Sequence, residues 1–106
     1  MPSILYNKLV RDKISEIIAK SGKQTICEIL DDESFKLYLD KKLQEELAEY
    51  FLSDNVEELA DLVEVIDAIL EFRKIDFDEF EKIRKDKNRE KGQFKERILL
   101  KEVISE

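Results

Sequence analysis

Residues 43–67 carry the feature that most limits how this chain can fold, because two helix-patterned segments meet there at a short break. The break, Ser53-Asp54-Asn55, consists of residue types that favour turns and helix starts. A connection this short places the two helices side by side and antiparallel. The sequence therefore predicts a helical hairpin as the centre of the fold.

Carboxylates cluster on both arms of this hairpin. Glu46 and Asp61 are equally distant from the break, and so are Glu49 and Glu58. Partners on the same helix are three residues apart, so they share a face. Four carboxylates are therefore expected to converge on a patch about one helical turn high, roughly 5.4 Å.

These acids interrupt apolar stripes instead of lying opposite them. Burying unpaired carboxylates is costly, so the cluster predicts a cation. All-oxygen ligation favours Mg²⁺, Mn²⁺ or Ca²⁺ over zinc. On a chain with 42% charged residues, an ordinary solvated acidic face is the alternative interpretation. The two stripes are Glu58 with Leu62, Val65 and Ile69, and Glu46 with Leu39, Leu43 and Tyr50.

The rest of the chain also favours helices, because two glycines and one proline leave few helix breakers. We expect one all-α domain over residues 1–106. Short extended segments near residues 25–30 and 97–101 could pair as strands. The predicted helices run from about Leu9 to Lys20 before Gly22, from an N-cap at Ser34 to about Leu52, from an N-cap at Asn55 to about Arg73, and from about Phe77 to just before Gly92.

The helix after Asn55 is apolar on more than one stripe. A single hairpin cannot cover both stripes, so we expect a homodimer or higher homo-oligomer in which two hairpins complete a four-helix bundle. The stripes are Val56, Leu59, Val63, Ile66 and Leu70 on one side, and Leu62, Val65, Ile69 and Phe72 on the other.

Charge is distributed unevenly along the chain, whose formal net charge is −7. Residues 1–27 carry +3, residues 28–81 carry −14 and residues 82–106 carry +4. Because an acidic middle is unsuited to nucleic-acid phosphates, no stable nucleic-acid binding is expected. The basic ends suit a site with metal ions at its centre and phosphates at its rim, or they simply neutralise the middle.

Composition excludes several classes of site. Without histidine the chain has no His-based triad and no usual zinc signature, and Cys27 is expected to be a small buried residue. One cysteine forms no intrachain disulfide, no apolar run approaches the roughly 20 residues of a membrane span, and the start lacks a signal-peptide pattern. We therefore expect a cytoplasmic protein without membrane contact. No phosphate-binding glycine motif is present, so a nucleotide would be held by metal and basic side chains.

Two basic groups could provide those side chains. Lys8, Arg11 and Lys13 gather around the start of the first helix, where cations and a helix N-terminus suit an anion, although ordinary surface charges are the alternative. The second group is a basic loop around Gly92, which is either a phosphate contact or a flexible tail.

Three stretches resemble one known family. Glu45-Glu46-Leu47-Ala48-Glu49 followed by Glu58-Leu59-Ala60-Asp61 resembles the EExxE…ExxD motif of the all-α nucleoside triphosphate pyrophosphatases, the MazG-like and phosphoribosyl-ATP pyrophosphohydrolase-like group. Residues 6–14 and the pair of segments 91–94 and 97–100 are similar to the start and the tail of a small subgroup.

The resemblance implies a Mg²⁺-dependent hydrolase, with Mn²⁺ as a possible substitute, that cleaves a nucleoside triphosphate between its α and β phosphates. It assigns Glu45 to an outer or water-activating role and Glu46 to catalysis and metal binding. The implied metal ligands are Glu46, Glu49, Glu58 and Asp61, and the implied phosphate contacts are Lys8, Arg11, Lys13, Arg89 and Lys91. A non-catalytic acidic regulatory module and a nucleotide sensor are the alternatives.

Overall fold

The structure, a computed structural model, describes residues 2–105. Within that range the chain forms four α-helices and no β-strand, which confirms the predicted all-α class. No helix among these residues has both the length and the apolar character needed to cross a membrane. The helices are α1 (Ile14–Lys20), α2 (Asp32–Ser53), α3 (Val56–Phe72) and α4 (Phe77–Lys91).

The chain divides into two compact units. Met1–Lys74 contains α1, α2 and α3, and Ile75–Glu106 contains α4. The carboxylates of the predicted hairpin all belong to the first unit, which is therefore the part that positions the candidate site.

Helices α2 and α3 form the predicted antiparallel hairpin. Only Asp54 and Asn55 separate them, and Asp54 has a left-handed backbone (φ 54°) while its N–H donates to the carbonyl of Tyr50 at 2.8 Å. At the far end of the hairpin the rings of Phe35 and Phe72 pack edge to face with centroids 5.6 Å apart. These two residues are equally distant from the connection, so the pairing of the helices holds over their whole length.

Side-chain caps begin both arms. The Asn55 side chain accepts a hydrogen bond from the N–H of Glu57 at 3.0 Å, so the predicted cap of α3 is confirmed. The predicted cap of α2 was wrong: Asp31 is the N-cap, and its carboxylate accepts from the N–H of Ser34 at 2.8 Å. The helix therefore begins three residues earlier than the Ser34 pattern indicated, because an aspartate three residues upstream accepts from the N–H of Ser34 and caps the helix there.

One face of the hairpin is packed and another is open. Leu39, Val65 and Leu70 are buried, and the α3 stripe that contains Val65 is covered along its length. On the second stripe Val56 and Val63 are 74% and 55% exposed. Within the described residues, α2 thus covers the stripe that carries Glu58 and leaves the second one open over its N-terminal half.

Three other expectations were wrong. The first helix begins at Ile14 and not near Leu9, since the basic residues before it oppose the helix dipole and Lys13 at the N-cap makes no side-chain capping bond within residues 2–105. Neither residues 25–30 nor 97–101 form a strand in the described range, where Arg97 has a left-handed backbone (φ 60°) that interrupts extended structure. Cys27 is exposed.

Candidate metal centre

The hairpin brings carboxylates from both arms together. One oxygen from each of Glu46, Glu58 and Asp61 lies within 4.8 Å of the others. Glu46 comes from the middle of α2, and the other two come from the first turns of α3. The set exists because acids at equal distances from the connection face one another when the helices pack antiparallel.

Glu46 is the most deeply placed member of this set. Its residue is only 5% exposed, and it lies on the stripe of α2 that also carries the fully buried Leu39. Among residues 2–105, its Oε2 and the Oε2 of Glu58 are buried and have no hydrogen-bond partner. Buried polar atoms normally find a partner, so these two carboxylate oxygens are acceptors available to a cation.

Repulsion inside the cluster is visible at Glu58. Burial raises the pKa of its carboxyl group, and the negative charge of Glu49 adds to that effect, followed by those of Glu46 and Asp61. Glu49 is thus a close neighbour of Glu58, as their equal distances from the connection predict. A shift in this direction means that the charged form of Glu58 is disfavoured in its present surroundings.

Glu45 lies beside the cluster with both of its oxygens in ion pairs. Its Oε1 is 2.8 Å from Lys8 Nζ, and its Oε2 is 3.2 Å from Lys42 Nζ. Burial by itself raises the pKa of Glu45, but the hydrogen bonds and charges of these two lysines outweigh it and hold the pKa below its ordinary value. The hydrogen bond to Glu45 also raises the pKa of Lys8.

A second cation from the N-terminal part of the chain reaches the cluster directly. The guanidinium of Arg11 donates to Asp61 Oδ1 at 2.7 Å, across 50 residues of sequence. A cleft of about 220 Å³ opens at this contact. Its lining consists of Val10, Arg11, Ile14, Lys42, Glu46 and Asp61.

The other predicted phosphate contacts lie at helix ends. Lys13 is the exposed N-cap residue of α1. Arg89 and Lys91 occupy the last turn of α4, where Arg89 pairs with Asp86. Both α4 residues belong to the second unit, and their role as phosphate contacts stays a prediction.

Lys42 is the residue at this site that the sequence analysis missed. Its Nζ lies 3.2 Å from Glu45 and 3.3 Å from Glu46, and its side chain is only 18% exposed. The signal was present in the sequence, because Lys42 precedes these acids by three and four residues, the spacing at which helical neighbours form ion pairs.

The residues present fit a hard divalent cation. The donor set consists of carboxylate oxygens alone, which Mg²⁺, Mn²⁺ and Ca²⁺ accept. Oxygens bound to one such ion lie at most about 4 to 5 Å apart, close to the spread of this set. Five carboxylates and three cations at the site leave a formal charge of −2, which one divalent ion would balance. The carboxylates are Glu45, Glu46, Glu49, Glu58 and Asp61, and the cations are Lys8, Arg11 and Lys42.

Comparison with known proteins adds one relative. A stretch of 47 residues, 44% of this chain, is 43% identical to part of an uncharacterized protein from Mycolicibacterium smegmatis. The aligned stretch covers 48% of that protein, so the chain spans about half of its length. No family model matches the chain. No solved structure matches it either.

Proposed function

We propose that this chain is a Mg²⁺-dependent hydrolase that cleaves a nucleoside triphosphate between the α and β phosphates, releasing a nucleoside monophosphate and pyrophosphate. The observation that carries the proposal is the convergence of Glu46, Glu58 and Asp61 with two buried oxygens that have no partner among the described residues. The likeness of residues 45–49 and 58–61 to the all-α pyrophosphatase motif gives the reaction.

The acidic cluster is proposed to hold the metal. When bound, Mg²⁺ would neutralise charge on phosphate oxygens and polarise them as a Lewis acid. Glu46 and Glu58 each have a buried oxygen, without a partner among residues 2–105, that would bind the metal. Asp61 and Glu49 complete the proposed set of ligands. Mn²⁺ satisfies the same oxygen donors and is proposed as a substitute.

Basic side chains are proposed to hold the phosphates. Arg11 lies in the wall of the cleft beside Asp61, and Lys8 lies next to Glu45. The cleft, at about 220 Å³, is smaller than the roughly 300 to 1,000 Å³ of pockets that enclose a whole small molecule. It therefore suits part of a ligand, such as a phosphate chain, and leaves the rest of a nucleotide outside.

Of the two roles implied for Glu45, the contacts favour the outer one. Both of its oxygens are paired with lysines, and its lowered pKa makes it a weak proton acceptor. In this arrangement Glu45 holds Lys8 and Lys42 next to the cluster. The loss of one of these lysine contacts would make Glu45 a stronger acceptor for the proton of the attacking water.

The same pairing favours a second candidate function. A site that binds Mg²⁺ and a nucleotide, yet keeps its proton acceptor engaged, would serve as a nucleotide sensor without turnover. The two candidates share the metal and the ligand and differ in product formation alone.

Assembly and location complete the proposal. The open stripe of α3, with Val56 and Val63 exposed, suits a second copy of the hairpin, so we propose a homodimer or higher homo-oligomer built on a four-helix bundle. We further propose a cytoplasmic protein that binds no nucleic acid stably.

The test is a panel of canonical and modified nucleoside triphosphates, incubated with and without Mg²⁺ and resolved by anion-exchange chromatography. Monophosphate and pyrophosphate that disappear on adding chelator are expected from the hydrolase. Bound nucleotide without product would support the sensor. Neither binding nor turnover across the panel would contradict both.

Variants of the cluster tie this activity to the site. Glu46→Gln and Asp61→Asn should each lower kcat/KM by about 100-fold or more, because each removes a charged ligand of the metal. Glu64→Gln is the matched control, since Glu64 is an exposed carboxylate on the same helix as Asp61. Helical circular dichroism should be the same in all three, and full activity in Glu46→Gln would contradict the assignment.

A further inference from the structure

Two basic side chains contact the proposed metal ligands, one from a helix and one from a segment without regular secondary structure. Lys42 stands on α2 one turn from Glu45 and Glu46, so the helix itself places its ammonium near their carboxylates. Arg11 comes from the stretch before α1, which has no regular secondary structure, and reaches Asp61 on α3 with a side chain that is 56% exposed. Arg11 is therefore held at its partner less firmly than Lys42 is.

The Arg11–Asp61 contact is also easily exchanged. It is a single guanidinium–carboxylate pair at 2.7 Å, and the Asp61 side chain is 39% exposed. Exposed pairs of this kind contribute little to stability, so a divalent cation with several carboxylate ligands would displace the guanidinium from Asp61 at little cost. The Lys42 contacts are far less exposed, at 18% for Lys42 and 7% for Glu46.

A displaced Arg11 would remain at the wall of the cleft. Arg11 lines the cleft together with Glu46 and Asp61. An anion that binds a metal held by these carboxylates would therefore lie within reach of the guanidinium, whose planar set of donors matches phosphate oxygens.

We propose that Arg11 is a placeholder cation, which pairs with Asp61 while the metal is absent and transfers to a phosphate group of the ligand once a divalent ion occupies Asp61. This proposal rests on the proposed function and deepens it, because it makes one side chain link metal binding to phosphate binding. Arg11 is thus a competitor of the metal and a partner of the phosphate.

The two roles predict opposite effects for one substitution. Removing the guanidinium in Arg11→Gln should tighten Mn²⁺ binding by about twofold to fivefold, because the ion no longer displaces a resident cation from Asp61. The same variant should bind tripolyphosphate, supplied as its Mg²⁺ complex, about tenfold more weakly or worse, because a charged hydrogen-bond donor is lost. A side chain with a structural role alone would weaken both.

Isothermal titration calorimetry on the full chain measures both affinities. Arg84→Gln is the matched control, because it removes one positive charge and one exposed arginine–carboxylate pair on α4 and should change neither affinity. Arg11→Lys keeps the charge and should recover part of the phosphate affinity. Circular dichroism verifies that each variant retains its helices.

Each outcome decides a separate question. Wild-type protein that binds no Mn²⁺ would contradict the proposed metal site itself. Wild-type protein that binds Mn²⁺, with an Arg11→Gln variant that binds it equally or more weakly, would leave the metal site standing and overturn the placeholder role. Tighter Mn²⁺ binding with unchanged tripolyphosphate binding would overturn the transfer of Arg11 to the ligand.

Discussion

At the scale of single residues, Glu58 is the member of the proposed metal site whose surroundings most disfavour its charge. Its carboxylate has a raised pKa from burial and from Glu49, and its Oε2 has no partner among residues 2–105. Its charged form is therefore less favourable in the metal-free protein than that of an exposed glutamate, and a cation bound in the cluster would favour it.

We expect Glu58→Gln to raise the melting temperature of the metal-free protein by a few degrees, because the neutral amide removes one of the repelling charges. Added Mg²⁺ should raise the melting temperature of the wild-type protein and leave that of the variant almost unchanged, since binding to the folded state alone stabilises it. Differential scanning calorimetry measures both. Glu64→Gln, on the exposed face of α3, should behave as wild type. A variant that melts below wild type without metal would show that Glu58 stabilises the hairpin.

At the scale of secondary-structure elements, the Asp31 cap couples the stability of α2 to pH. The N–H of Ser34 donates to the Asp31 carboxylate and lowers its pKa. A group whose pKa is lower in the folded state stabilises the protein above its unfolded pKa, and that contribution disappears as the pH falls through the folded value.

Asp31→Asn should therefore have a weaker acid dependence of stability than wild type between about pH 5 and pH 2, because asparagine caps a helix without titrating. Urea denaturation at a series of pH values, followed by circular dichroism, gives the comparison. Asp32→Asn, one residue further along, removes the same charge without removing the capping carboxylate. Parallel pH curves for wild type and Asp31→Asn would mean that the cap contributes no pH dependence.

Elements of the hairpin could be predicted from sequence because their causes are local. The apolar period, the short break at residues 53–55 and the Asn55 cap indicate where the arms lie and which residues face one another across the hairpin. The contact of Arg11 with Asp61 joins residues 50 positions apart, and no helical periodicity in the sequence could predict it. The strand expectation at residues 25–30 failed because alternation alone predicts a strand without providing the partner that a strand requires.

At the scale of the whole molecule, the open stripe of α3 is the feature on which the proposed oligomer rests. Apolar side chains at Val56, Leu59 and Val63 are 74%, 39% and 55% exposed. Three large apolar side chains on one stripe of a helix are unusual at a free surface and are typical of helix–helix contacts.

We expect wild-type protein to sediment as a dimer or a larger species and Val63→Glu to shift it toward monomer, because the new charge would be buried against a second hairpin. Sedimentation-velocity ultracentrifugation over a range of concentrations gives the species present. Glu64→Gln, which changes the neighbouring charged face, should leave the assembly intact. A wild-type chain that is monomeric at every concentration would contradict the four-helix assembly.

The short connection at Asp54 and Asn55 also has a consequence for how such a chain can change over evolutionary time. A residue inserted within α2 between Glu49 and the connection would rotate everything before it by about 100° and separate Glu46 from Asp61. A residue inserted between Asp54 and Asn55 leaves the phase of both helices unchanged, and surface loops tolerate such insertions. Descendants of this sequence are therefore expected to vary in the length of the connection. They should preserve the number of residues that separate each carboxylate from its end of the connection.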